Sequence, residues 1–216
     1  MNDHPWHLRH NFDRVVKESV VDRNEYALPN DMQDWCVLDV GGHIGCFARA
    51  CAERGAIVVS YEPNRANCAQ FRANTAHLEN VHLIEAAVVD SWKAPMPLGI
   101  SLDPAGHSLF RARPGDPYVD VVAFAAAVWG VAMAGDKGIV DLVKIDAEGA
   151  EYPILENCPL DGVRRLTVEF HDNYVPRARG RAQACRERLA MLGFRELAWE
   201  ITHPECGWYR LYRGER

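Results

Sequence analysis

No apolar run in this chain is long enough to cross a bilayer. The longest, Val121 to Ala134 with its glycine counted, is 14 residues, against the roughly 20 that a spanning helix needs. A membrane span is therefore excluded, and the stretch is expected to be a buried segment. Positive charge is also in deficit, with 24 basic residues against 30 acidic ones and a net charge of −6. Without a global positive field to hold a phosphate backbone, a general nucleic-acid binder is disfavoured. The seven cysteines include no CxxC pair and are odd in number, so neither a zinc motif nor a disulfide framework is indicated, and they read as reduced core residues. The first residues lack the basic patch and apolar stretch of a secretory leader, which points to a cytoplasmic protein. What is present is ordinary: 216 residues, 48% of them apolar, enough to bury about two thirds of the unfolded surface around one core.

Between residues 36 and 87 short apolar runs alternate with helical periodicity, the signature of βαβ units and a parallel sheet. Strands are expected at Cys36–Val40, Ala56–Tyr61, Val81–Val88, Asp141–Asp146 and Leu166–His171. Ile44, Phe47, Ala48 and Cys51 form the apolar stripe of a helix ending near Gly55. Pro63 suits the first turn of the next helix, and Gly149–Leu155 makes another. Ala182, Cys185, Leu189 and Leu192 share a helical face closed by Gly193. Arg195–Ile201 and Trp208–Tyr212 can pair as an antiparallel hairpin. Residues 91–118, rich in proline and glycine, read as a loop excursion. Residues 1–30 carry Leu8, Phe12, Val15, Val16 and Val20 and form an amphipathic cap; residues 31–216 form the main domain.

The strongest local signal is Asp39-Val40-Gly41-Gly42-His43-Ile44-Gly45, between the first strand and the first helix. Glycines at such a junction let a ligand approach the backbone. A dinucleotide fingerprint would need glycine at 41, 43 and 46, but the chain has His43 and Cys46. An acidic residue two positions before the first glycine suits a cationic group instead, as in the methionine amine of S-adenosylmethionine. Glu62, at the end of the second strand, can accept hydrogen bonds from both hydroxyls of a ribose. Glu85 and Ala86, after the third strand, would border an adenine.

These residues resemble the FkbM family of S-adenosylmethionine-dependent methyltransferases. The resemblance rests on Val37-Leu38-Asp39-Val40-Gly41-Gly42-His43-Ile44-Gly45, Tyr61-Glu62-Pro63-Asn64 and Ala86-Ala87-Val88. It rests most of all on Leu142-Val143-Lys144-Ile145-Asp146-Ala147-Glu148-Gly149-Ala150-Glu151. It implies an α/β, class I Rossmann-like methyltransferase fold with a mostly parallel sheet, a C-terminal antiparallel hairpin and helices on both faces. It also implies S-adenosylmethionine as cofactor, held by Asp39, Gly41, Gly42, His43, Gly45, Glu62, Pro63, Glu85, Ala86 and Asp146. The usual reaction would be O-methylation of a small molecule or sugar, such as a natural-product intermediate. The chain departs from the common family pattern at Gly42 and His43.

Methyl transfer from a sulfonium is an in-line displacement, and an alcohol acceptor must lose a proton as it attacks. His171 is the first choice for the base, as an imidazole near its ordinary pKa of about 6.5, with Asp146 and Glu169 beside it. Strand alternation puts Glu169 and His171 on one side. The three together form an alternative: an oxygen-rich site for a divalent metal such as Mg. Seven arginines between Arg164 and Arg188 include Arg177, Arg179 and Arg181, able to grip an anionic acceptor but more simply read as a solvated face. Trp92, Phe110 and Tyr118 are expected in an acceptor wall or in the core. The rival readings are a methyltransferase for a nucleotide, RNA or peptide, and a non-catalytic binding module on the same fold.

Overall fold

The computed structural model describes residues 4–101, 106–172, 178–201 and 209–216. In chain order these form α1 (Asn11–Lys17), a π-helical turn (Glu18–Asp22), β1 (Cys36–Val40), α2 (Cys46–Ala52), β2 (Ile57–Tyr61), α3 (Arg65–Thr75) and β3 (Val81–Ile84). Then come β4 (Ala87–Val89), β5 (Met96–Pro97), a 3-10 turn (Leu109–Arg111), β6 (Tyr118–Val119), β7 (Val121–Ala123) and α4 (Phe124–Ala134). The chain finishes with β8 (Val140–Ile145), α5 (Glu151–Asn157), β9 (Val163–His171), α6 (Ala178–Met191), β10 (Arg195–Ile201) and β11 (Tyr209–Glu215).

Seven strands make one sheet in the order β10-β11-β9-β8-β1-β2-β3. The pairs from β9 through β3 are parallel, while β11 runs antiparallel between β9 and β10. β1 and β8 are buried along their whole length, as expected for central strands covered on both faces. One face packs against α4, α5 and α6 around Leu38, Val143, Tyr152, Leu155 and Phe170. The other packs against α2 and the N-terminal segment around Val37, Ile44, Phe47, Met32 and Tyr26. The chain winds outward from β1 to β3, then returns to β8 on the opposite side of β1. The strand order reverses there, and in such sheets ligands bind beyond the carboxyl ends of the two strands flanking the reversal.

The structure alters several details. The strand expected over Val81–Val88 breaks at Glu85–Ala86, where the Ala86 N–H turns back to the Ile84 carbonyl. β4 then leaves the sheet to pair with β7, whose partnership lies far away in sequence. Pro63 stands just outside α3, whose N-cap is Asn64. β9 starts at Val163, paired with Val140 of the parallel β8, and β11 extends to Glu215, paired with Arg165 of β9, both beyond their expected bounds; Trp208 lies outside the described residues.

The expected apolar stripe of the N-terminal segment packs in part, with Leu8, Val16 and Val20 against the core. Phe12 and Val15 are exposed, whereas Asp13 is fully buried and bonded to Arg9. The segment expected to be buried, Val121 to Ala134, leaves Trp129 and Met133 exposed on the outer face of α4, since an apolar helix packed on one side cannot hide its other side. Trp92, Phe110 and Tyr118 are likewise exposed rather than part of the core. Six cysteines are buried and free; Cys206 lies outside the described residues.

Candidate functional site

The site starts from a steric fact at the end of β1. Gly41 has φ +84°, and a Cβ there would sit 1.8 Å from the Asp146 carbonyl oxygen. Only glycine lets the end of β1 approach the end of β8 this closely. The Asp146 N–H donates to the Val40 carbonyl at 3.0 Å, and the Gly41 and Gly42 N–H groups donate to the Tyr61 carbonyl at 2.9 and 3.0 Å. Gly42 and Gly45 pack against Phe71, so they serve the approach of α3 rather than line a hollow.

A hollow opens beside this junction, lined by Gly41, His43, Glu62, Pro63, Asp146 and Glu148 and, on the far side, by Leu98, His107 and Leu109 of the excursion. Its enclosed volume is about 50 Å³, so the excursion side stands close to the strand ends. Glu62 is buried, and its carboxylate accepts from the His43 N–H at 2.9 Å and the Asn64 N–H at 2.8 Å. Burial raises its pKa from 4.5 to about 7, against the pull of those bonds and of Lys144. His43 has φ +47°, and neither of its ring nitrogens has a hydrogen-bond partner. Burial chiefly lowers its pKa to about 4, so the ring is neutral, with Asp13 Oδ1 3.9 Å from Nε2.

Beneath the hollow lies a buried ion network. Lys144 Nζ sits 3.2 Å from Asp39 Oδ1 and from Asp146 Oδ2, and donates to the Gly41 carbonyl at 2.8 Å. Burial disfavours the ammonium, but the two carboxylates outweigh it and raise the pKa. Asp39 is fully buried, takes a second bond from Ser60 at 2.7 Å and does not line the hollow. Asp146 faces Lys144 on one side and His171 on the other, which together hold its carboxyl below the ordinary value despite burial.

His171 is buried at the end of β9 with carboxylates around it. Glu151 Oε1 lies 3.2 Å from Nδ1 and also accepts the His171 N–H at 2.8 Å; Nε2 lies 3.5 Å from Asp146 Oδ1 and 3.4 Å from Glu148 Oε1. Burial alone would depress its pKa, but these carboxylates raise it well above 6.5. The neighbouring acids thus pull the ring toward its protonated form, away from the neutral imidazole expected. Glu148 shows the opposite effect. Burial and the neighbouring acids raise its pKa well above the ordinary value, and its buried Oε2 has no hydrogen-bond partner.

Asp146, Glu169 and His171 converge, each offering a ligand atom within 4.8 Å of the others. Glu85 and Ala86 do not join them: Glu85 pairs with Arg72 outside the hollow, and Ala86 packs in the core, leaving Ala87 and Val88 on the lining. Arg181 is bound to Glu156, and Arg188 to the Leu155 and Cys158 carbonyls, so both brace α5 and α6. Arg177 lies outside the described residues, as does the Arg179 side chain.

Sequence reasoning assigned no role to Lys144 or Tyr26. The Tyr26 hydroxyl stands 3.5 Å from Asp146 Oδ2, a contact spanning 120 positions that no local pattern reveals. A lysine among the apolar residues Leu142, Val143 and Ile145 was the available signal for the first.

The fold and the placement of this hollow define the class I S-adenosylmethionine-dependent methyltransferase architecture. A fibrillarin pre-rRNA processing protein from Methanococcus jannaschii superimposes with TM-score 0.53 at 14% identity, over 88% of this chain and 69% of that one. Magnesium protoporphyrin IX methyltransferase from Synechocystis PCC 6803, solved with bound S-adenosylmethionine, gives 0.50 at 12%, over 100% and 88%. TYW2 from P. horikoshii, solved with MeSAdo, also gives 0.50 at 12%, over 93% and 61%. The chain matches the methyltransferase FkbM domain over residues 39–196, and it belongs to that family. Comparison with curated protein sequences yields no match.

Proposed function

We propose that the protein binds S-adenosylmethionine in the hollow at Gly41 and transfers its methyl group to a hydroxyl of a small molecule. The observation that carries this reading is the set of polar groups on the hollow wall: the Glu62 carboxylate, the unpartnered His43 ring and the unpartnered Oε2 of Glu148. Unsatisfied buried polar atoms are rare and call for a partner. Glu62 suits ribose hydroxyls, His43 borders the nucleoside, and the carboxylates near Asp146 suit the cationic methionine end. Bound there, the cofactor supplies an electrophilic methyl carbon.

With the cofactor held by Glu62, His43 and the acids near Asp146, its sulfonium would serve as the leaving group for an attacking hydroxyl. The acceptor's proton must go to a base. Glu148 fits this role better than His171, because its Oε2 on the hollow wall has no hydrogen-bond partner, whereas the His171 ring is held among three acidic side chains. His171, fixed by Glu151, holds Glu148 and Asp146 in place. The Glu148→Gln variant is expected to lose roughly 10²–10⁴-fold in turnover while keeping cofactor affinity. The test is transfer of labelled methyl to a panel of hydroxyl-bearing metabolites. Cofactor binding without turnover on any of them would favour a non-catalytic module, and no cofactor binding at all would end the proposal.

A second reading is favoured by the convergence of Asp146, Glu169 and His171. The mixed oxygen and nitrogen donors fit a divalent cation such as Mg, which when bound would acidify the acceptor hydroxyl. Under this reading turnover stops in chelator and returns with added magnesium; under the first it does not change.

A further inference from the structure

Among the described residues, the buried side-chain atoms without a hydrogen-bond partner fall in two places. His43 and Glu148 belong to the hollow; Thr167 Oγ1 and Arg213 Nε do not. Thr167 and Arg213 are directly paired across β9 and β11. They share the floor of a separate groove of about 290 Å³ on the α2 face of the sheet, walled by Tyr26, Leu28, Trp35, Leu142, Leu166 and Leu197. Thr167 is only 2% exposed.

We infer that this groove binds a small molecule with an apolar chain or ring ending in a carboxylate. Its volume lies near the lower end of the range for small-molecule sites, roughly 300–1,000 Å³, and apolar walls with a few convergent polar groups are the usual lining of such sites. The polar groups decide the ligand's head. Guanidinium N–H is a donor only, and the threonine hydroxyl can donate as well, so the ligand supplies acceptor oxygens. Arg213 Nη2 is bonded to Glu200 at 3.1 Å and Arg165 Nε lies 3.5 Å from Glu215, so the charged donors on the groove lining are the guanidinium groups of Arg165 and Arg213. A carboxylate is the strongest partner for a guanidinium donor. The site is distinct from the methyl-transfer hollow and touches it only through Tyr26, whose ring lines the groove while its hydroxyl faces Asp146.

Octanoate is the probe, followed by saturation-transfer NMR and titration calorimetry on the full chain, with octanol as the uncharged control. Octanoate is expected to bind saturably, at least tenfold tighter than octanol. Thr167→Val and Arg213→Met are each expected to weaken it about tenfold while leaving S-adenosylmethionine affinity unchanged. Thr167→Val should also leave the thermal midpoint unchanged or raise it, since the hydroxyl it removes is unbonded; this separates lost binding from lost folding. Absence of saturable octanoate binding at millimolar concentration, equal binding of octanol, or wild-type affinity in both variants would overturn the inference. Because the readout is octanoate binding, it stands or falls independently of methyl transfer.

Discussion

Glu62 and Lys144 show how burial can act in opposite directions on two charges a few residues from one hollow. Glu62 has a pKa of about 7 in the fold against 4.5 in the unfolded chain. Between those values the folded chain holds a proton that the unfolded chain has released. Its contribution is thus fully present below pH 4.5 and is lost as pH rises through about 7, a change on the order of 3 kcal/mol. Urea unfolding across pH 5 to 8 should show this decline in the wild type, and Glu62→Gln should flatten it. The same variant should bind S-adenosylmethionine at least tenfold more weakly by calorimetry, because an amide cannot accept hydrogen bonds at both of its ends. Lys144 is held charged by Asp39 and Asp146. Lys144→Met would strand two buried carboxylates, and a loss of about 3–5 kcal/mol in unfolding free energy is expected.

At the scale of elements, the excursion after β4 decides access. β5, the 3-10 turn and β6 bring Leu98, His107 and Leu109 against the strand ends, and Ser108 anchors them by donating to the Glu148 carbonyl. An enclosed hollow of about 50 Å³ is smaller than a nucleoside needs. Binding of S-adenosylmethionine is therefore expected to displace this side. Hydrogen exchange should change around Leu98 and Leu109 on addition of cofactor while the β1–β8 ladder keeps its protection. Unaltered exchange at Leu98 and Leu109 in the presence of saturating cofactor would contradict this.

The whole molecule carries a net charge of −6, which bears on the choice of acceptor. Counterion release dominates binding to nucleic acid, and several of the exposed arginines here are already paired, Arg164 with Asp141 and Arg195 with Glu215. Retention of duplex RNA at about 150 mM salt is expected to be undetectable by filter binding. Methylation of a small hydroxyl-bearing acceptor should vary little between low and moderate salt. A steep salt slope would move the reading toward a nucleic-acid acceptor.

The alternation of apolar runs and helical stripes determined the parallel sheet, because buried central strands admit little but apolar side chains. The glycine at position 41 was legible for an equally local reason, since backbone geometry at a strand terminus demands it, and Glu62 was legible as the acid that closes the second strand. Tertiary structure alone decided the rest. It turned Asp39 inward to Lys144, raised the His171 pKa by surrounding the ring with carboxylates, freed Glu148 Oε2, and buried Asp13 rather than Phe12 in α1. Charge states and orphaned atoms depend on neighbours from distant parts of the chain, and periodicity along one segment contains no record of them.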